Sequence, residues 1–236
     1  MFKNSHILQD PLKMMGQDAA SGLENGGFAA ILARAGVGKT ALLVQLAIYT
    51  MLNGKNILHM STDNPVDKVD LWYREVYHRL CQTEENSNRE KLWDQLLHRR
   101  FIMTFETETF SIDKLEKRIS ELMASEIFRP AQVMVDGLFL ENQTHSRLKK
   151  LKDFALANRL LLWFTVRTHR EEPVENSGIP TSFAPYAELF DLMLFLHPDK
   201  NRVYLKILPD MAQPGHETPS ELYLDPATML ITDTPV

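Results

Sequence analysis

The stretch Phe28-Ala29-Ala30-Ile31-Leu32-Ala33-Arg34-Ala35-Gly36-Val37-Gly38-Lys39-Thr40, followed by Ala41-Leu42-Leu43-Val44-Gln45-Leu46-Ala47-Ile48, decides how the rest of the chain is read. An apolar run, a small residue, four free positions, Gly-Lys-Thr and a second apolar run predict a strand, a loop and a helix in that order. This is the phosphate-binding P-loop pattern. Its chemistry needs glycines so that backbone N–H groups can curl around phosphates, a helix N-terminus for its partial positive charge, a lysine to reach the outer phosphates and a hydroxyl for Mg²⁺. Lys39 and Thr40 fill the last two roles, and the backbone from Ala33 to Ala41 is the candidate cradle. Ala33 stands where the pattern prefers glycine, which a methyl group tolerates as long as φ stays negative. The plain alternative is a glycine-rich strand-to-helix turn carrying a surface lysine.

Outward from the loop, turn signals at Asn25-Gly26-Gly27 and Asn53-Gly54 bound this first unit, after a weak helical pattern over Asp10 to Glu24. Asn56 to Met60 reads as a strand broken by Ser61-Thr62-Asp63-Asn64-Pro65, so a parallel sheet would present Asp63 on the side of the P-loop. Val66 to Cys81 has helical spacing, the polar run Gln82 to Glu90 reads as an exposed loop, and a helix follows from about Arg89 to Leu97. Phe101 to Phe105 is a strand, and Ser111 is the expected N-cap of a helix with Ile112, Leu115, Ile119 and Leu122 on one face.

Gln132-Val133-Met134-Val135-Asp136 is the second chemical landmark, an apolar run ending in an acid. In a P-loop protein such an aspartate orients the Mg²⁺ shell; taken alone it is equally a tight turn. After a helix over Leu148 to Leu160, the strand Leu161 to Val166 delivers Arg167 and Thr168 to a strand end, where either a phosphate-sensing role or simple solvation fits. Glu171 to Pro185, with Pro173, Gly178 and Pro180, reads as a long loop. Leu189–Leu196 and Val203–Leu208 then form a hairpin pattern, and Leu222–Leu224 with Met229–Ile231 a second one. Strand-helix repeats followed by hairpins predict one α/β domain over residues 1–236, with a mainly parallel sheet extended by antiparallel C-terminal strands.

Composition narrows the partners. With 44% hydrophobic and 24% charged residues and a net charge of −5, the chain has the profile of a soluble globular protein with no global pull toward nucleic acid or anionic lipid. The single cysteine, Cys81, excludes an internal disulfide and fits a reducing compartment. Met1 to His6 lacks the apolar region of a signal peptide, and no stretch approaches a membrane span, so a cytoplasmic location and no membrane contact are expected.

The succession of the glycine turn, Phe28 to Thr40, the strand ending Met60-Ser61-Thr62-Asp63, Phe101 to Met123, Val133 to Asp136, Leu161 to Arg170 and the terminal hairpins resembles the RecA-type P-loop ATPase core. Within that group it is most similar to KaiC-like and DnaB-type helicase-like domains, over roughly Leu12 to Ile231. The resemblance implies a three-layer α/β/α fold, ATP and Mg²⁺ as cofactors, ATP hydrolysis, and a homo-oligomer, ring or filament, with nucleotide at subunit interfaces. It implies that Lys39 and Thr40 are the P-loop pair, and that Thr40 and Asp136 attend the metal. Asp63 falls where relatives carry a catalytic glutamate one methylene longer, and Lys206 matches a lysine by which some relatives reach a neighbour's γ-phosphate. An outward lysine that discourages edge pairing is the alternative for Lys206. The shorter acid at position 63 keeps a second function open, a nucleotide-binding switch or scaffold with little hydrolysis that acts through a protein partner. A DNA motor is disfavoured because Glu171, Glu172 and Glu175 would repel phosphate, and a small-molecule kinase because the Gln82–Glu90 run offers only Arg89 for a lid.

Overall fold

A computed structural model describes residues 10–16, 23–62, 64–82, 85–140, 144–169, 172–199, 202–208 and 221–233. Its first half alternates strands and helices: α1 (Pro11–Met14), β1 (Gly27–Ala33), α2 (Lys39–Leu52), β2 (Ile57–Ser61), α3 (Val66–Leu80), α4 (Asn86–Leu97) and β3 (Arg100–Thr104). There follow α5 (Ile112–Ala124), β4 (Gln132–Leu138), α6 (His145–Ala157), β5 (Leu161–Arg167), β6 (Leu192–Asp199), β7 (Arg202–Leu208), β8 (Leu222–Leu224) and β9 (Ile231–Thr232). All nine strands lie in one sheet in the order β3-β2-β4-β5-β1-β6-β7-β8-β9. β3 through β6 run parallel, and β7, β8 and β9 add as an antiparallel meander.

The central strands are apolar at nearly every position, because both faces of the sheet are covered. Alternate residues nonetheless part cleanly between two cores. Ala29, Ile31, Met134 and Trp163 join α2, α3 and α4 on one face, while Phe28, Ala30, Leu32, Val133, Val135 and Phe164 join α5 and α6 on the other. This is the three-layer α/β/α arrangement. The P-loop helix α2 is buried around most of its circumference, from Ala41 to Ile48 without a break. Each fully buried Leu, Val or Ile contributes about 1.5–3 kcal/mol, so the helix is held by packing on the sheet and on α3.

The strand that feeds the P-loop is anchored at its start. Gly27 has φ +128°, and a Cβ there would overlap the Asp191 carboxylate. That carboxylate accepts the Phe28 N–H at 2.9 Å and the Lys152 ammonium at 2.8 Å. Ser111 caps α5 as expected, accepting from the Lys114 N–H. Cys81 is buried as a small apolar residue.

Two segments differ from the expectations. α4 begins at Asn86, inside the polar run read as loop. Its buried Leu96 and half-buried Leu92 and Trp93 pack on the core and override the poor helix propensity of Asn86-Ser87-Asn88. The Glu171–Pro185 stretch contains an antiparallel bridge between Val174 and Pro180. Both Glu172 carboxylate oxygens are engaged there, accepting the backbone N–H groups of His169 at 3.0 Å and Ser182 at 2.6 Å. Most of the weak Asp10–Glu24 pattern lies outside the described residues, and helix is found only over Pro11–Met14. No helix among the described residues is long and apolar enough to cross a membrane.

Candidate nucleotide-binding site

β1 ends at Ala33 and α2 begins at Lys39, so Arg34 to Gly38 form a turn between the centre of the sheet and a helix N-terminus. Gly36 has φ +77° and Gly38 φ +115°, left-handed conformations that only glycine adopts without strain, whereas Ala33 keeps a negative φ. The Lys39 ammonium curls back over the loop and donates to the carbonyls of Ala33 and Arg34, 2.9 Å each. It therefore stands in the concavity of the turn.

Parallel register brings the polar groups together. Ser61 on β2 and Thr165 on β5 both stand opposite Asp136 on β4. The Thr165 hydroxyl donates to Asp136 Oδ1 at 2.7 Å, and the Thr40 hydroxyl donates to Asp136 Oδ2 at 2.9 Å. Beyond Asp136 the β4–β5 register slips, Gly137 takes φ +103°, and its N–H donates to the Thr165 hydroxyl at 2.8 Å. The slip turns the strand end away from the sheet and leaves the carboxylate facing the start of α2.

Burial pushes the Asp136 carboxyl up from its ordinary range, against the hydrogen bonds from Thr165 and Thr40 and the nearby Lys39 charge, which favour the carboxylate. A buried acid of this kind is relieved by a cation brought beside it. Two hydroxyls and one carboxylate oxygen pair are hard oxygen donors of the sort that hold magnesium together with phosphates and water. The fit to Mg²⁺ and a nucleotide's phosphates is therefore good at Thr40 and Asp136. The open space beside Gly36 leaves the loop accessible.

At the end of β2, Thr62 accompanies Asp136: its N–H donates to the Asp136 carbonyl at 3.0 Å and its hydroxyl to the Gly137 carbonyl at 2.8 Å. Asp63, the next residue, lies outside the described residues. At the end of β5 the two candidates separate. Arg167 is exposed, whereas Thr168 is buried and its N–H donates to the Ala33 carbonyl at 3.0 Å, at the base of the loop.

Lys206 is exposed on β7, opposite Phe195 in the ladder. It lines a cleft of about 380 Å³ together with Arg34 of the loop, Thr168, His169, Glu172 and His197. Lys206 and the P-loop of the same chain thus share one cleft. Thr165, Thr62, His169 and His197 carried no distinguishing signal in the sequence. Thr165 is a hydroxyl inside an apolar run, which is the one trace that could have marked it.

These features define a class, the RecA-like P-loop fold. No protein-family model and no curated protein sequence matches the chain. Among solved structures the chain is similar to the ATPase domain of a DnaB-type helicase, with a TM-score of 0.63 over 90% of this chain and 86% of that one, at 16% identity.

Proposed function

We propose that the chain binds ATP with Mg²⁺ at the P-loop, hydrolyses it, and does so as part of a homo-oligomer. The observation that carries this reading is the hydroxyl-to-carboxylate contact between Thr40 and Asp136 at the mouth of a left-handed glycine turn. Backbone N–H groups from Ala33 to Ala41 hold the phosphates, and Lys39 exchanges the carbonyls of Ala33 and Arg34 for phosphate oxygens. Thr40 and Asp136 hold the metal, Asp136 through water. When bound, Mg²⁺ neutralises charge on the transferring phosphoryl group. Asp63 orients the attacking water. Lys206 reaches the γ-phosphate of a neighbouring copy. The likeness to a domain named as an ATPase supports the reading.

One observation favours a second reading, a switch or scaffold that binds nucleotide, turns it over poorly and acts on a protein partner. Asp63 is a methylene shorter than the glutamate of the resembled group, which displaces the water-orienting oxygen.

Phosphate release measured at several protein concentrations tests both. Specific activity that rises with concentration and is abolished by Lys39→Ala is the expected result. Tight ATP binding without turnover, with turnover gained in Asp63→Glu, favours the switch. Nucleotide affinity unchanged in Lys39→Ala sinks both.

A further inference from the structure

The P-loop has a wall supplied by the far end of the chain. A Cβ on Gly38 would overlap Leu224 Cδ2 and stand 2.7 Å from Met229 Cε, so these two side chains lie directly against the Gly38 backbone. Val37 packs on the same core, which includes Leu224 and Ile231. We propose that the β8–β9 hairpin is a brace that sets the conformation of the P-loop, with Leu224 and Met229 as positioning residues for nucleotide binding. For its effect on affinity the proposal rests on the nucleotide-binding reading above; for the loop itself it does not.

Gly38 needs such a brace. It is the N-cap of α2, it is left-handed, and no side chain caps the helix there. A glycine in that position samples more backbone states than any other residue, and the adjoining Ala35 and Gly36 are exposed. From inside the turn, Lys39 ties down the carbonyls of Ala33 and Arg34. From outside, Leu224 and Met229 close the remaining freedom. When Lys39 leaves those carbonyls for a ligand, the apolar wall is the restraint that stays.

The hairpin is itself anchored to the elements that carry the loop. β8 has three residues and β9 two, too few for ladder hydrogen bonds alone to hold them. The Ile231 N–H donates to Gln45 Oε1 on α2 at 3.1 Å, in a buried setting. The Arg79 guanidinium on α3 donates to the Thr228 carbonyl at 3.0 Å. Asp225 closes the turn by accepting from the Ala227 N–H at 3.0 Å and the Thr228 hydroxyl at 2.5 Å. Met229 sits at φ +57°, a conformation that costs a non-glycine residue about 1–2 kcal/mol and that here aims its side chain at Gly38.

The test compares Leu224→Ala and Met229→Ala with Leu222→Ala, a residue on the same strand and in the same core that is not among those nearest Gly38. Two readouts are taken: hydrogen exchange of the amides of residues 35–39 in nucleotide-free protein, and ATP affinity by titration. Leu224→Ala and Met229→Ala are expected to speed exchange at the loop and weaken ATP by about tenfold each. Leu224→Met should restore both. Leu222→Ala should lower the melting temperature without moving either readout. If Leu224→Ala does not fold, Met229→Ala, at a half-exposed position, carries the same comparison. Loop exchange that is unchanged in both brace variants, or equally raised in Leu222→Ala, overturns the brace. Wild-type protein that shows the exchange contrast yet binds no ATP leaves the brace standing and removes the nucleotide reading.

Discussion

In the parallel half of the sheet, β2, β4 and β5 stand in one register, so Ser61, Asp136 and Thr165 occupy a single cross-strand row. In the antiparallel half, β6 and β7 run on to Asp199 and Arg202, past the level of Phe195, where β6 leaves its pairing with β1. The two halves serve one loop by different physics. Backbone ladders place the polar groups of the first half, and side-chain packing places those of the second. A substitution in the parallel half should change chemistry with little loss of packing, whereas one in the meander should act through the shape of the loop or the cleft beside it.

The sharpest way to break that contrast is Lys39→Ala. Lys39 makes two charge-assisted hydrogen bonds to its own loop, which nucleotide phosphates replace at little structural cost. ATP affinity is expected to fall about 100-fold, the worth of one or two such bonds, with the melting temperature nearly unchanged. Calorimetric titration beside a thermal melt checks this. A large loss of stability instead would mean that the lysine serves the fold.

The next effect belongs to the core of the parallel half. His59 on β2 is fully buried; its Nδ1 lies 3.0 Å from the Tyr73 hydroxyl, and its Nε2 has no partner among the described residues. Burial, reinforced by the Arg100 charge, pulls its pKa down to about 3. The imidazole is neutral in the fold and titrates normally once unfolded, so the unfolded chain takes up the extra proton. Stability from this group is therefore complete above about pH 6.5 and is lost as pH falls from there toward 3. Between pH 7 and pH 5 the loss should be about 2 kcal/mol. Denaturant unfolding at the two values checks it, and His59→Phe should flatten the slope even though Tyr73 loses a partner.

Asp136 titrates with the opposite consequence. Burial holds its carboxyl above the ordinary value, so the protonated form is favoured in the fold and stability declines as pH rises through that raised value. Asp136→Asn should then stabilise the nucleotide-free protein by about 1 kcal/mol at pH 8 while weakening magnesium-dependent ATP binding about tenfold. Thermal melts with and without Mg²⁺ and ATP separate the two. A destabilised Asp136→Asn would show that the Thr40 and Thr165 hydrogen bonds outweigh burial.

The same contrast explains what could be read before the structure. Register follows from local pattern, so Phe28 to Thr40 and Val133 to Asp136 announced both their elements and their common side of the sheet. Ser111 as a cap and the two C-terminal hairpins were legible for the same reason. The start of α4 was not, because Asn86-Ser87-Asn88 have loop-like propensities that tertiary packing overrides. Nor was the contact of Leu224 and Met229 with Gly38, since an apolar residue in a short hairpin does not say which distant backbone it will meet. Lys206 was legible as an exposed strand lysine but not as a wall of the cleft that contains Arg34.

That cleft yields the prediction with the smallest effect on the fold. Lys206 is exposed, so Lys206→Ala should change stability by no more than about 0.5 kcal/mol. Its effect on turnover discriminates between the chain's own P-loop and a neighbour's. If Lys206 serves its own loop, mixing Lys206→Ala with Lys39→Ala restores nothing, because each chain lacks part of its own site. If it serves a neighbour, the mixture recovers activity: a Lys206→Ala chain still binds nucleotide, and a Lys39→Ala chain beside it still supplies the lysine. Phosphate release from the mixed proteins, against each alone at the same total concentration, reads the difference. Recovery assigns the cleft to the meeting of two copies. No recovery, with Lys206→Ala slow at every concentration, assigns it to the chain's own loop, and the meander then contributes both the brace on Gly38 and the charge beside Arg34.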